Sequence, residues 1–434
     1  MRKPNIILLM SDQQRWDTLG CNGNIFIETP NLDALAAGGV RCVHSFTPYP
    51  VCTPARATMW TGVMPHAHGV TMNVYEVSDA LAEFSREKHT LFDDMQAGGY
   101  TTAYFGKWHL GDDQPDYIDV WEGWNSGVSH WVDGEIDGVY RPDLQTDQLI
   151  DFMRAQRDGD QPFIAVNGYY PPHNRYTAPK RFYEPYRNKG ILRAGYYAAV
   201  SNLDYNVGRI VDALDELGMR ENTILVYYSD HGEHFYYRDL ATAKFACHED
   251  AIRVPLIISQ PGTLPAGVAL NEYIGLEDLM PTVLEWAGLP VPDHLHGKSI
   301  VPLLQGKRGE ELGWRDSYYV ENRLKRDNVM QRAIRTDRWK LILSEARNLR
   351  DYALNGELYD LESDPEEELN MYAPPRKAGA DQYLHYPDQT DQIAELADKL
   401  RHHAEAIDDD KGVEIADLCI LAMRKRRERA AAAT

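Results

Sequence analysis

Cysteine is scarce in this chain. Its 434 residues include five, at Cys21, Cys42, Cys52, Cys247 and Cys419. They are widely spaced, odd in number and form no CxxC pair. That pattern excludes a disulfide framework and a cysteine zinc site. Positive charge is short too, with 45 basic against 66 acidic side chains and a net charge of -21. Such a surface repels nucleic acid and anionic membranes at long range, so neither is an expected partner. An anionic substrate would need a locally basic pocket. Long apolar runs are missing. The run Ile6 to Met10 is too short for a signal-peptide core, and no later stretch could span a bilayer. The expected compartment is the cytoplasm for the sequence as it stands, and the periplasm or exterior if a leader has been removed. No internal repeat is present, and a homo-oligomer stays open.

What is present has one grammar. A short apolar run leads to a polar residue able to bind or react. NIILLM ends at Ser11-Asp12, TTAYF leads to Gly106-Lys107-Trp108-His109, PFIAVNGYY to Pro171-Pro172-His173, and TILVYY to Ser229-Asp230-His231. Such runs suit strands covered on both faces. Helical patterns separate them, at about residues 30–38, 91–98, 143–157 and 194–217. The expected fold class is α/β: a large, mostly parallel sheet flanked by helices. In open α/β sheets, ligands bind beyond the carboxyl ends of the strands. Asp12, Lys107, His109, His173, Asp230 and His231 are therefore expected at one edge.

After about Gly306 the pattern changes. Strand-like pieces at about 317–321, 332–336, 339–343 and 357–361 look antiparallel, and a helix follows from about 392 to 407. The expected division is a catalytic unit over 1–310 and a smaller C-terminal α+β subdomain over 311–434. The basic tail RKRRERAAAAT reads as a solvated helix end.

Asp12 and Asp230 each follow a strand. Either alone would most often be a helix N-cap. Together they would repel unless a cation lay between them. The neighbouring donors are Gln13 and His231, and a mostly oxygen set favours Ca²⁺ or Mg²⁺ over zinc. Lys107, His109, His173 and Lys244 add cations or potential cations, which favour an anionic group with several oxygens, a sulfate, phosphate or phosphonate. HGEH at 231–234 is not a zincin, because the spacing is wrong. Cys52 precedes Pro54, and a helix is expected over 54–61 with its N-terminus aimed at the site. An isolated cysteine is most often a small buried thiol.

VCTPARATMWTG resembles the C-x-P-x-R signature of the type I, formylglycine-dependent sulfatases of the alkaline-phosphatase-like superfamily. The resemblance extends over PNIILLMSDQQRWDTLG, ETPNLDALAAGGVRCVHSFTPYPVC, GKWHLG, YYSDHGEH, RVPLIIS, HLHGKSIVPLL, RAIRTDRWKLI and ELYDLESDP. It implies that Cys52 is converted to formylglycine by a formylglycine-generating enzyme. It implies a divalent cation, Ca²⁺ with Mg²⁺ or Mn²⁺ as alternatives, held by Asp12, Gln13, modified Cys52, Asp230 and His231. It gives Arg56 and His109 to the formylglycine hydrate and Lys107, His173 and Lys244 to the sulfate oxygens. His173 or Lys244 protonates the leaving alcohol, and His66 and His68 support the site from behind. A hydrated aldehyde suits turnover: one hydroxyl attacks sulfur, and loss of the other's proton lets the ester collapse and release sulfate.

Two departures stand out. Position 55 is alanine where serine is common, and Gln13 stands where many relatives have a second aspartate. The amide oxygen of Gln13 can still meet a cation, with one charge fewer. The implied function is hydrolysis of sulfate monoesters on a sugar or other small alcohol. One rival is a phosphonate monoester or phosphodiester hydrolase on the same machinery. Rivals of another class are an inactive anion-binding protein and a cation-stabilised structural protein. The intact cationic set argues against both. Trp131 and Tyr140 are open as platforms for a sugar or aryl ring. Trp121 and Trp124 read as core. The segment 322–328 and the loop near Pro374 are expected to overhang the cleft.

Overall fold

The computed structural model describes residues 2–73, 89–133, 138–235, 243–325, 328–352, 355–372 and 388–432. The loop near Pro374 and part of 322–328 lie outside the described residues. The order of the main sheet begins with the apolar runs. Strands β1 (Asn5–Asp12), β2 (Val40–Phe46), β3 (Thr101–Lys107), β4 (Val120–Trp124), β7 (Phe163–Pro172), β8 (Thr223–Ser229), β9 (Leu256–Ser259) and β10 (Val268–Gly275) form it. They run in the order β10-β2-β9-β8-β1-β7-β3-β4. Only β9 runs antiparallel to its neighbours. The sheet is therefore α/β and mostly parallel, as expected. Strands β5 (Trp131–Val132) and β6 (Val139–Tyr140) make a separate two-residue pairing.

Side chains alternate across the central strand. Ile6, Leu8 and Met10 enter one core layer, and Ile7 and Leu9 the other. Helices Cys52–Thr61, Leu91–Ala97 and Leu279–Trp286 cover the first face. Helices Pro30–Ala37, Arg141–Gln156 and Ala194–Glu216 cover the second. Ile6 to Met10 are all 0 % exposed. Burying each such side chain contributes about 1.5–3 kcal/mol, enough to fix β1 and deliver its polar end to the sheet edge.

A second, antiparallel sheet contains β11 (Tyr318–Arg323), β12 (Met330–Arg335), β13 (Trp339–Ser344) and β14 (Glu357–Asp360). Helices Thr390–Ala406 and Asp410–Ala432 pack on it in one cluster with Leu341 and Leu343. The basic tail ends the second of these helices. Another cluster joins Phe46, Ile252 and Tyr273 of the large part to Tyr318, Val320 and Ile342 of the small one. No described helix is long and apolar enough to cross a membrane.

The helix expected over 54–61 begins two residues earlier, at Cys52. Proline needs no N–H in a first turn, so Pro54 fits inside it. Val51 is extended and Gly62 closes the helix at φ 66°, where its N–H reaches Thr58 O at 2.8 Å. Glycine reaches that left-handed region without Cβ strain.

Candidate active site

Three strand ends and one helix start converge. The registers pair Asp12 with Pro172 and Ser11 with Ser229, so the residues just past β1, β7 and β8 share an edge. Cys52 opens its helix facing them. Arg56 lies one turn on, on the same helix face. Asp12, Arg56, Lys107, Asp230 and His231 are all 0 % exposed, and Lys244 is 8 %.

The ion pairs explain how so much charge stays buried. Asp12 Oδ2 accepts from Lys107 Nζ at 2.6 Å and Arg56 Nη2 at 2.8 Å. Asp230 Oδ2 accepts from Arg56 Nε at 3.0 Å. Arg56 also donates to the Lys107 carbonyl. The guanidinium fork thus holds both carboxylates by one oxygen each. Their other oxygens face inward. Asp12 Oδ1 is 3.6 Å from Cys52 Sγ, and Asp230 Oδ1 is 3.7 Å from His231 Nε2. His231 Nε2 is 3.1 Å from Cys52 Sγ, and its Nδ1 donates to Gly232 O at 2.8 Å. That bond leaves the Nε2 lone pair for the centre.

Lys244 closes the other side. Its Nζ lies 2.9 Å from Cys52 Sγ, 3.0 Å from Gln13 Oε1 and 3.2 Å from His173 Nε2. His173 Nδ1 is 2.7 Å from Asn174 O and donates to it, so Nε2 accepts from the lysine. Lys107 lies over the Tyr170 ring, 4.4 Å from its centroid. His109 is 1 % exposed beside this group. Gln13 and His109 hold left-handed backbones, φ 67° and 61°. Such strain of about 1–3 kcal/mol each is found mainly where a site imposes it.

Burial opposes charge at Asp12, Cys52 and His231, where charged partners outweigh it, and at His173 and His109, where it prevails. It pushes the Asp12 carboxyl up, but Lys107, His173, Arg56 and Lys244 hold it well below the usual carboxylate range. Burial and Asp12 push the Cys52 thiol up, while Lys107, Lys244 and His231 bring it below its ordinary value. Burial and then Lys244 drive His173 well down, and burial, Lys107 and Arg56 do the same to His109. Asp230 and Cys52 raise His231 against its burial.

Asp12, Cys52, Asp230 and His231 each offer a ligand atom, all within 4.8 Å of one another. Two inward carboxylate oxygens, the Gln13 amide oxygen and one imidazole nitrogen fit a hard divalent cation. The structure brings together Asp12, Gln13, Cys52, Arg56, Lys107, His109, His173, Asp230, His231 and Lys244. His68 supports the site indirectly, since its Nε2 is 3.0 Å from Thr58 Oγ1 in the cysteine helix. His66 turns instead toward the small sheet, with Nδ1 2.6 Å from Glu321 Oε1 and Nε2 2.8 Å from Ile407 O. Trp121 packs on Tyr104 and Trp108, as core. Tyr140 is 2 % exposed with its hydroxyl on Thr177 O at 2.5 Å, so no substrate can reach its face.

Glu233 was not anticipated. It is 0 % exposed and its carboxylate accepts from the Gln13 side-chain amide, Tyr176 Oη at 2.6 Å and Phe235 N at 2.6 Å. The sequence placed it in HGEH, but nothing in the linear pattern tied it to Gln13, 220 residues away.

Comparison with known proteins agrees with this geometry. The family model for sulfatases matches residues 4–289, and that for the C-terminal part of N-sulphoglucosamine sulphohydrolase matches 232–393. An arylsulfatase of Clostridium perfringens is 28 % identical, over 85 % of this chain and 90 % of that protein. An N-acetylglucosamine-6-O-sulfatase of Bacteroides thetaiotaomicron is 26 % identical, over 86 % of this chain and 83 % of that protein. The phosphonate monoester hydrolase of Agrobacterium radiobacter shares the fold, with a TM-score of 0.70 at 23 % identity over 93 % of this chain and 96 % of that one. With its sulfatase match spanning every strand of the large sheet, the chain belongs to the sulfatase family and is a sulfuric ester hydrolase.

Proposed function

We propose that the enzyme hydrolyses a sulfate monoester of a sugar, with formylglycine at position 52 and Ca²⁺ as its cation. The observation that carries this is the position of Cys52 Sγ. It lies between the Asp12, Asp230 and His231 ligand atoms on one side and Lys244 with His173 on the other. In the mature enzyme that atom stands for the hydroxyl oxygens of a hydrated aldehyde, which supplies an attacking oxygen and a second hydroxyl for release of sulfate. A divalent cation held by Asp12, Gln13, Asp230, His231 and position 52 supplies Lewis-acid stabilisation of negative oxygen.

The side chains do the rest. Arg56 fixes both carboxylates, and with His109 it faces the group at position 52. Lys107, His173 and Lys244 present positive or hydrogen-bonding edges to the nonbridging sulfuryl oxygens. Three buried cations, Arg56, Lys107 and Lys244, face two carboxylates, Asp12 and Asp230. This excess attracts an anion in an otherwise acidic protein. Lys244 and His173 share one hydrogen bond, so the pair can hold a proton for the departing alkoxide. The sugar substrate is supported by the hexosamine sulfatase among the relatives. The division near residue 310 is supported by the gap between β10 and β11, although the cluster around Phe46 and Tyr318 makes the small part complete the core of the large one.

A second reading, phosphonate monoester hydrolysis, is favoured by the fold shared with the Agrobacterium enzyme. Paired assays on a sulfate and a phosphonate ester with one leaving group decide between them. The sulfate ester should show the higher kcat/KM. Peptide mass of active enzyme should show position 52 lighter by about 18 Da, the loss of sulfur and two hydrogens against one oxygen gained. An unmodified cysteine in active protein would end the formylglycine reading.

A further inference from the structure

Along β11 every second side chain turns toward the large part of the molecule. Tyr318 and Val320 do so as apolar members of the cluster that joins the two parts. The next position on that face holds Asn322, which is 0 % exposed. It is interior and does not overhang the cleft. A buried amide beside apolar neighbours is costly unless its N–H groups find partners.

Both N–H groups of Asn322 are used. Nδ2 donates to the Phe245 carbonyl at 2.9 Å and to Gln331 Oε1 at 2.7 Å. A carbonyl only accepts, so the amide must present its nitrogen to Phe245. Gln331 is held in turn, because its Nε2 donates to Ser344 Oγ at 2.9 Å. Asn322, Gln331 and Ser344 stand opposite one another on β11, β12 and β13. A polar row across three strands thus ends on one backbone carbonyl of the large part.

That carbonyl belongs to the residue after Lys244. Phe245 has a left-handed backbone, φ 69°, which a bulky side chain adopts only where its surroundings hold it. Its N–H reaches Pro50 O at 3.3 Å, and its ring packs with Tyr49 and Val51. Glu321, beside Asn322 on β11, donates its backbone N–H to Pro48 O at 2.9 Å. One strand of the small sheet therefore grips two segments of the site. The first leads into Cys52, and the second carries Lys244. Between them Lys244 Nζ lies 2.9 Å from Cys52 Sγ and 3.2 Å from His173 Nε2.

We propose that Asn322 is a positioning residue for Lys244: it clamps the Phe245 carbonyl, and the clamped turn aims the ammonium at position 52 and His173. Fully buried, it acts through Lys244 and not on the substrate. The proposal rests on the role of Lys244 in the sulfate-monoester reading.

The test uses mature enzyme and 4-nitrophenyl sulfate, and reads kcat/KM and Tm. Asn322→Ala should lower kcat/KM roughly ten- to hundredfold, between the loss of one hydrogen bond and a displacement of about 1 Å. Lys244→Ala should lower it at least as far. The double variant should be no slower than Lys244→Ala alone, because Asn322 then has nothing to position. Multiplied losses would show a separate, purely structural effect and overturn the proposal. Leu358→Ala, a cavity in the core of the small part, should lower Tm with kcat/KM unchanged. A loss of kcat/KM there matching that of Asn322→Ala would trace both to general loosening and overturn the clamp. Asn322→Asp keeps the shape and stands in if the alanine variant does not fold. Its ionised carboxylate cannot donate to Phe245 O, and its protonated form can. The ratio of its kcat/KM to that of wild type should therefore rise as pH falls, and a ratio flat with pH overturns the clamp. Wild type inert toward every sulfate ester would overturn the sulfate reading and the proposal together, whereas multiplied losses overturn the proposal alone.

Discussion

The side-chain amide of Gln13 donates to the buried carboxylate of Glu233, and its oxygen faces Lys244 Nζ at 3.0 Å. A carboxylate can only accept, so Glu233 fixes which end of the amide points to the centre. Glutamine at position 13 and glutamate at 233 therefore work as a pair. An aspartate at 13 would set a second negative charge against Glu233.

Glu233→Gln removes this acceptor-only partner, so the Gln13 amide can turn over. Calcium affinity, read as the Ca²⁺-dependent shift of Tm, should fall about tenfold, at the low end of what second partners of metal ligands contribute. Gln13→Asp alone should destabilise the protein, and Gln13→Asp with Glu233→Gln should recover most of that loss. No recovery in the double variant would show that the two positions are not coupled through this hydrogen bond.

Asp230→Ala takes one of two carboxylates from Arg56. Breaking a buried pair can cost about 3–5 kcal/mol, but Asp12 still holds the guanidinium, so a folded protein with lowered Tm is expected. Bound Ca²⁺ should be lost by metal analysis, and activity with it. Wild-type protein carrying stoichiometric zinc would contradict the oxygen-rich donor set.

His173→Ala should reduce kcat for alkyl and sugar sulfates more than for 4-nitrophenyl sulfate, because only the poorer leaving groups need a proton as the bond breaks. Equal losses on both classes would leave the proton to Lys244, its hydrogen-bond partner at 3.2 Å.

His44 stacks on Tyr273 at 5.3 Å, and burial, then Arg335 and Arg253, push it down to about 4. The unfolded chain takes up this proton near pH 6.5, while the folded one resists to about 4. Unfolded protein then binds more protons in that window, so stability from this group is present above about pH 6.5 and lost as pH falls toward 4. His296 and His403, also pushed to about 4, act in the same direction. Asp204, raised to about 6, opposes them, because its folded form binds the extra proton. His44→Phe should keep the stacking and shrink the fall of Tm between pH 6.5 and 4. An unchanged acid limb would exclude His44 as a contributor.

Much of the fold could be read directly. Runs such as NIILLM are buried on both faces, so their apolar character alone implied a covered parallel strand and its polar end. The helices at 30–37, 91–97 and 194–216 ended within a residue or so of expectation, because glycine or a change of periodicity marks each stop. Edge strand β10 gave a weaker signal. Its pattern begins with exposed Val268 and Ala269, and pairing with β2 rather than sequence makes it a strand.

The site divides in the same way. Asp12, Lys107, His109, His173, Asp230 and His231 were legible because each stands at or just past a strand end, Cys52 and Arg56 because they stand in the C-x-P-x-R motif, and Lys244 only through the family resemblance. Sequence alone thus determined which chemistry the chain carries and at which end of its sheet. Tertiary structure alone decided how the charges are shared: Arg56 bridging both carboxylates, Lys244 between Cys52 and His173, and Glu233 turning the Gln13 amide. Those partners lie from 44 to 220 residues apart. Hydrogen bonds and ion pairs act over a few ångströms of space, so no local pattern records them until the sheet has brought its strand ends together.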